Sequence, residues 1–444
     1  MLYTNKDLRK LIIPLVLEQM LAILVGMVDT VMIAGVGEAA VSGVSLVDNI
    51  NILVINISAS LATGGAVVAG HFLGQKDSKN AGRAAWQLLL FSVASALIVT
   101  IILVMWHKPL LKVIFGKVEA DVMSSAITYL IITAISIVPL AVYNSCAALS
   151  RAMSDSRTTM WISIMMNIMN IIGNSILIYG AKMGVAGAAI STTISRTAAA
   201  AVIFYLMFNP KRIINFKGKV TWKPDKELIK KILYIGIPNG MENSLFQIGK
   251  ILLLSLISTF GTYAMAANAV CNTLALFNTL PGQAINLALL SVAAVCVGAG
   301  DYEQARYYTK KLMKLTTILM VAISGILLFG GQWIIKIYQL SPQTESLAIQ
   351  VIRYHAILAA LVWVPSFTLP NTLRAAGDVV WTMIIAIMSM WVFRIGTAYL
   401  LSRYLQIGLM SVWIAMTIDW IFRAICYEIR YHGHNWECRV KRRT

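Results

Sequence analysis

Charge is what this chain has least of. Only 13% of its 444 residues are Asp, Glu, Lys or Arg, while 58% are hydrophobic and the mean hydropathy is +0.75; soluble domains run at roughly 45–50% apolar and about 25% charged. So few charges cannot clothe a water-facing surface around that much apolar material, which excludes a soluble protein and leaves lipid as the solvent. Acid is scarcer than base, with 19 Asp and Glu against 37 Lys and Arg and a formal net charge of +18. In a soluble chain that excess would point to nucleic acid. In a membrane chain it marks basic cytoplasmic loops and anionic headgroups, so the expected partner is the bilayer and not nucleic acid.

Other absences narrow the class further. The five cysteines, Cys146, Cys271, Cys296, Cys426 and Cys438, have no CxxC spacing, so neither a disulfide frame nor a metal site is indicated. Short segments of alternating hydrophobicity are missing and long apolar runs such as 88–105 replace them, which excludes a transmembrane β-barrel. Residues 1–10 are polar and lack the short apolar core and cleavage site of a signal peptide, so the first hydrophobic run is expected to be a retained span. No His/Asp/Glu cluster, nucleophile elbow or phosphate-binding glycine loop occurs, so no enzyme is expected.

What is present is a series of twelve candidate spans, each near or above the roughly 20 residues that cross a bilayer. They run 8–33, 47–73, 84–106, 122–148, 158–178 and 185–208, then 230–258, 265–297, 310–330, 346–371, 381–402 and 408–429. Residues 209–229 form the longest polar stretch, with Pro210, Gly218 and Pro224 among many lysines. The chain therefore reads as an all-α polytopic membrane protein: an N-lobe (1–208), a cytoplasmic linker (209–229), a C-lobe (230–429) and a basic tail (430–444). With the N-terminus in the cytoplasm, the inner segments hold about 25 Lys and Arg, eight of them in 211–231, and the outer loops about six. That bias places both termini and the linker in the cytoplasm of a cell-membrane protein.

The halves repeat. A shift of 224 residues superposes Pro14 on Pro238, Glu18 on Glu242, Gly37 on Gly261, Ala40 on Ala264, Gly74 on Gly298, Asp77 on Asp301 and Ala81 on Ala305. After a slip of one residue, Arg151-Ala152-x-x-Asp155-x-x-x-Thr159-Met160 matches Arg374-Ala375-x-x-Asp378-x-x-x-Thr382-Met383. Six spans return the chain to its starting side, so the two six-helix lobes form a parallel repeat about a pseudo-twofold axis normal to the membrane. Secondary transporters are commonly built this way.

Several residues stand out chemically. Asp29 lies deep in the first span among apolar neighbours, where a carboxylate must be protonated, paired or bound to a cation; it is either functional or an interhelical hydrogen-bonding Asp. Asn170 and Asn174, four apart, share a helix face, and Thr192 lies on the next span. With Asp29 they supply the carboxylate, amide and hydroxyl oxygens that a hard cation needs, or they serve as interhelical glue. Glu18 and Glu242 each follow a proline by four residues, where a span often bends; they either line a cavity as cation-recognition groups or meet water near the cytoplasmic end. Spans 7 and 8 carry Asn239, Asn243, Gln247, Lys250, Asn272 and Gln283, and the stripe Asn239–Asn243–Gln247–Lys250 cannot face lipid, so these residues are read as a substrate-cavity wall. Lys250 either pairs with an acid such as Glu242 or signals that the substrate is not purely cationic.

Val28-Asp29-Thr30-Val31-Met32-Ile33-Ala34-Gly35, the Gly-x-x-Asp turns at 74–77 and 298–301, the Arg-Ala-x-x-Asp loops and the pattern Arg394…Trp413…Asp419…Arg423…Trp436 resemble the multidrug and toxic compound extrusion (MATE) family. The segment 167–193 is also similar to that family. The resemblance implies a V-shaped secondary antiporter that exports cationic amphipathic compounds by alternating access, with Na⁺ or H⁺ as the coupling ion and no other cofactor. It also implies an N-lobe cation site at Asp29, Asn170, Asn174 and Thr192, where Na⁺ would bind. Acids that some relatives carry in the C-lobe are replaced here by Phe246 and Trp363, so coupling is expected to rest on the N-lobe of a monomer. The alternative is a flippase for a lipid-linked or anionic precursor, which would need a cationic cavity.

Overall fold

The computed structural model describes residues 2–116, 119–218, 220–433 and 436–437. The basic tail from residue 438 onward lies outside the described residues. All secondary structure among the described residues is helical. Two compact units result: one is Tyr3–Gly240 and the other begins at Met241 and includes Leu2.

The first unit holds α1 (Asn5–Ala34), α2 (Glu38–Gly74), α3 (Ser78–Met105), the short α4 (His107–Phe115), α5 (Ala120–Ile135), α6 (Ile137–Ala152), α7 (Ser156–Asn174) and α8 (Gly184–Leu206). The boundary falls inside α9 (Lys226–Ser258). The second unit continues with α10 (Thr262–Gly298), α11 (Tyr302–Lys336), α12 (Pro342–Leu358), α13 (Val364–Phe367), α14 (Leu369–Ala375), α15 (Val379–Met388), α16 (Thr397–Leu405) and α17 (Leu409–His432). π-helical turns occupy Ser175–Gly180, Ala359–Trp363 and Ser389–Gly396.

Every span read from the sequence overlaps this helical framework. Among the described residues, ten helical runs are long and apolar enough to cross a membrane, and the pair α5 and α6, bent by 47°, makes an eleventh. The twelfth expected span lies on the 33-residue α9, which carries several amides together with Glu242 and Lys250. Polarity there marks an interior wall, because a lipid-facing helix has no use for such groups.

The repeat extends to the backbone. Asp77 caps α3 by accepting from the Asn80 amide, and Asp301 caps α11 by accepting from the Gln304 amide, so the Gly-x-x-Asp signature is a helix-starting turn. Left-handed positions recur at the same offsets: Lys76 (φ 60°) with Gly300 (φ 74°), Ser154 (φ 62°) with Gly377 (φ 78°), and Lys182 (φ 54°) with Gln406 (φ 51°). The geometry is kept even where the residue is not glycine.

Packing follows membrane rules, in which close approach and interhelical bonds replace the hydrophobic drive. Ala126, Leu130, Ala134 and Ala189 sit in the first core and Ala264, Ala267, Val351 and Ala356 in the second. Gly173 lets α7 approach α8 so closely that an added methyl would strike the Ser191 hydroxyl, and that Ser191 hydroxyl donates to the Asn170 carbonyl at 2.8 Å. The polar segment after α8 folds back onto the first unit. Trp86 Nε1 donates to the Thr221 carbonyl at 2.8 Å, Arg83 pairs with Asp225 at 3.2 Å, and Phe216 is fully buried against Trp86.

Candidate functional site

The close α7–α8 approach delivers the four predicted oxygen-bearing residues to one place in the first unit. Asn174 Nδ2 donates to Asp29 Oδ1 at 2.8 Å. Asn170 lies one turn earlier on the same face. With its amide nitrogen turned to α1 it meets the two Asp29 oxygens at 2.9 and 3.1 Å, and its carbonyl accepts from Thr192 Oγ1 at 3.2 Å. Asn174 Oδ1 is buried and has no hydrogen-bond partner among the described residues. Asn174 is the last α-helical residue before the π-helical turn Ser175–Gly180, and such turns gather at functional sites.

This donor set suits a hard monovalent cation: a carboxylate, a hydroxyl and two rotatable amides, one of which holds the buried Asn174 oxygen. A proton on Asp29 would meet the same electrostatic demand. Two further ionisable groups were not singled out from the sequence. Asp48 on α2 and Arg196 on α8 both act electrostatically on Asp29, and Arg196 Nη1 also donates to Ser136 Oγ at 2.8 Å. Both fall within predicted spans, and an ionisable residue at membrane depth is a functional-site signal by itself. The cluster thus brings two carboxyl groups and one guanidinium together.

The repeated glutamates are held in ion pairs. Glu18 accepts from Thr159 Oγ1 at 3.1 Å and lies 3.9 Å from Arg151, and Glu242 pairs with Arg374 at 2.6 Å. Each pair joins the first helix of a half to its Arg-Ala-x-x-Asp loop. The partner of Glu242 is thus Arg374, and Lys250 does not pair with it. In the same loops, Asp155 pairs with Arg212 and Asp378 with Arg430, both at 2.6 Å.

The polar stripe of α9 divides by environment. Asn239, Asn243 and Gln247 are partly exposed, Lys250 is exposed, and Asn272 and Gln283 on α10 are exposed. Their neighbours Asn268 and Asn278 are instead buried in interhelical bonds to Trp413 and Ser324. Beside Lys250, buried Asp419 pairs with Arg423 at 2.9 Å and with Arg394 at 3.6 Å, and it accepts from Ser389. Ser389 and Arg394 both belong to the π-helical turn Ser389–Gly396.

Comparison with known proteins agrees with this architecture. The chain is 26% identical to a probable multidrug resistance protein NorM of Thermotoga maritima, over 98% of this chain and 94% of that one. It is 26% identical to the uncharacterized transporter YisQ of Bacillus subtilis, over 95% and 93% of the two chains. A solved MATE structure in complex with MaL6 superposes with a TM-score of 0.91 at 20% identity, covering 98% of this chain and 97% of that one. The MatE family model matches residues 14–176 and again 238–400, one copy per half. A chain that carries the family pattern twice, in the two halves of a repeated all-helical membrane fold, is a transporter and not an enzyme, and it belongs to the MatE family.

Proposed function

We propose that the chain is a secondary active antiporter of the cell membrane that exports amphipathic, mostly cationic compounds in exchange for inward Na⁺ or H⁺. Both termini would face the cytoplasm of a monomeric transporter. The observation that carries this reading is the convergence of Asp29, Asn170, Asn174 and Thr192, with the buried Asn174 Oδ1 among them. The names of the relatives, multidrug resistance proteins among them, support efflux of varied compounds.

The chemistry at Asp29 is a charge exchange. Ionised, the carboxylate attracts a cation; once Na⁺ or a proton occupies it, that attraction is gone and a cationic substrate is released. Asn170 and Asn174 turn an amide nitrogen to the bare carboxylate, and they can turn an amide oxygen to a bound cation. One elementary charge crossing 100 mV is worth about 2.3 kcal/mol. A one-for-one swap of monovalent cations is electrically neutral, so it is driven by the concentration gradient alone, at about 1.4 kcal/mol per tenfold ratio. Coupling then requires that ion and substrate exclude each other at Asp29. The test is dye efflux from proteoliposomes with Na⁺ and proton gradients imposed separately. Asp29→Asn is expected to abolish the response to the coupling gradient, and retention of that response would overturn the proposal.

A further inference from the structure

We propose that the second unit contains an anion-recognising site, formed by Lys250, Arg394 and Arg423 around Phe246, that receives the carboxylate or other acidic group of an amphipathic substrate. This deepens the exporter reading, on which it rests, by assigning a substrate class: zwitterions and organic anions alongside simple cations.

Three cationic groups converge on one ring. Lys250 Nζ lies 5.1 Å from the Phe246 centroid, the Arg423 guanidinium 5.3 Å and the Arg394 guanidinium 5.4 Å, all within cation–π reach. Among the described residues Asp419 is the one carboxylate paired with them, contacting both arginines. The nearby Glu242 is already neutralised by Arg374. The cluster therefore keeps two positive charges beyond its own acid, in a site where unpaired charge is costly. A counter-anion is the missing element.

Lys250 is the open member. It is exposed and makes no hydrogen bond or ion pair with any described residue, whereas the arginines are largely enclosed, with Arg423 only 3% accessible. Arg394 Nε is buried without a hydrogen-bond partner. Lys250 lies one helical turn after Phe246 on α9, and the two arginines that reach the same ring come from elsewhere in the unit. The arginines also touch the aromatic core behind them. Phe367 stacks on Trp363 at 5.2 Å and meets Trp420 edge-on at 5.8 Å, and Arg423 lies over Phe367 at 5.4 Å.

The experiment uses purified full-length protein and a matched pair of probes, a xanthylium dye bearing a free carboxylate and its methyl ester, with binding read by fluorescence anisotropy. The expected result is tighter binding of the acid by about tenfold, the scale of one charge-assisted bond. Lys250→Gln should bring the acid-to-ester ratio to about one, and Lys250→Arg should preserve it. Equal affinity for the two dyes in the wild type, or a ratio that survives in Lys250→Gln, overturns the assignment. If Lys250→Gln does not fold, the wild-type ratio decides. Micelles containing phosphatidylglycerol, compared with phosphatidylcholine, separate substrate from lipid: displacement of the acid dye by the anionic lipid alone would reassign the cluster to a headgroup and overturn the substrate claim. Asp29→Asn should end gradient-driven efflux and keep the acid preference, so loss of one without the other identifies which reading has failed.

Discussion

At the scale of single residues, the oxygen cluster of the first half depends on spacing that can be read directly. Two asparagines four apart share a helix face whatever the tertiary structure, and a carboxylate inside a span demands a partner. Asn174→Leu keeps the bulk of the side chain and removes its oxygen, so the cation concentration that half-saturates coupled efflux should rise by about tenfold or more, the scale of a hydrogen bond to a charged group. An unchanged value would mean that Asn174 only tethers α7 to α1. The glutamates show the opposite case. Both sit beside a proline in the sequence, but their partners, Arg151 and Arg374, lie more than a hundred residues away and are chosen by packing. Breaking one buried pair leaves its partner's charge uncompensated, at a cost of about 3–5 kcal/mol. Glu242→Gln should therefore lower the thermal unfolding midpoint clearly in detergent, and the double change Glu242→Gln with Arg374→Met should recover much of the loss.

At the scale of elements, the signature turns are structural parts. The left-handed position of the helix-starting turn is Lys76 in one half and Gly300 in the other, and that of the Arg-Ala-x-x-Asp loop is Ser154 in one and Gly377 in the other. A non-glycine residue there costs roughly 1–2 kcal/mol. Ser154→Gly should raise stability and Gly377→Ser should lower it, measured as opposite shifts of the unfolding midpoint. The turn aspartates add a pH dependence. Backbone and side-chain hydrogen bonds from Asn80 hold the Asp77 carboxyl below its ordinary value of 3.8. The sign follows from linkage: the cap is in force above that ordinary value and is lost as pH falls through the lower folded-state value. The acid limb of a stability profile should therefore flatten in Asp77→Asn. The elements least legible in the sequence are the π-helical turns, because no residue pattern announces a widened turn. Two of them adjoin the charged clusters of the two halves.

At the scale of the whole molecule, the twofold family match and the repeated backbone turns describe one six-span plan written twice. If both termini and the linker are cytoplasmic, single cysteines introduced at 211 or 226 in a cysteine-free background should react with a membrane-impermeant maleimide only from the cytoplasmic face; labelling from outside would reverse the orientation. The plan is repeated but the chemistry is not. The first half gathers two carboxyl groups, Asp29 and Asp48, with one guanidinium, Arg196, and the second gathers Lys250, Arg394 and Arg423 around one Asp419. Sequence alone determined the membrane environment, the spans, the parallel repeat and the face shared by Asn170 and Asn174, because hydropathy and helical period act locally along the chain. Tertiary structure alone decided which groups meet: Glu242 with Arg374, Arg394 and Arg423 over Phe246, and the segment after α8 against Trp86. Those choices depend on distances between residues far apart in the chain, and in a low-dielectric interior such distances set both the energy and the sign of each site.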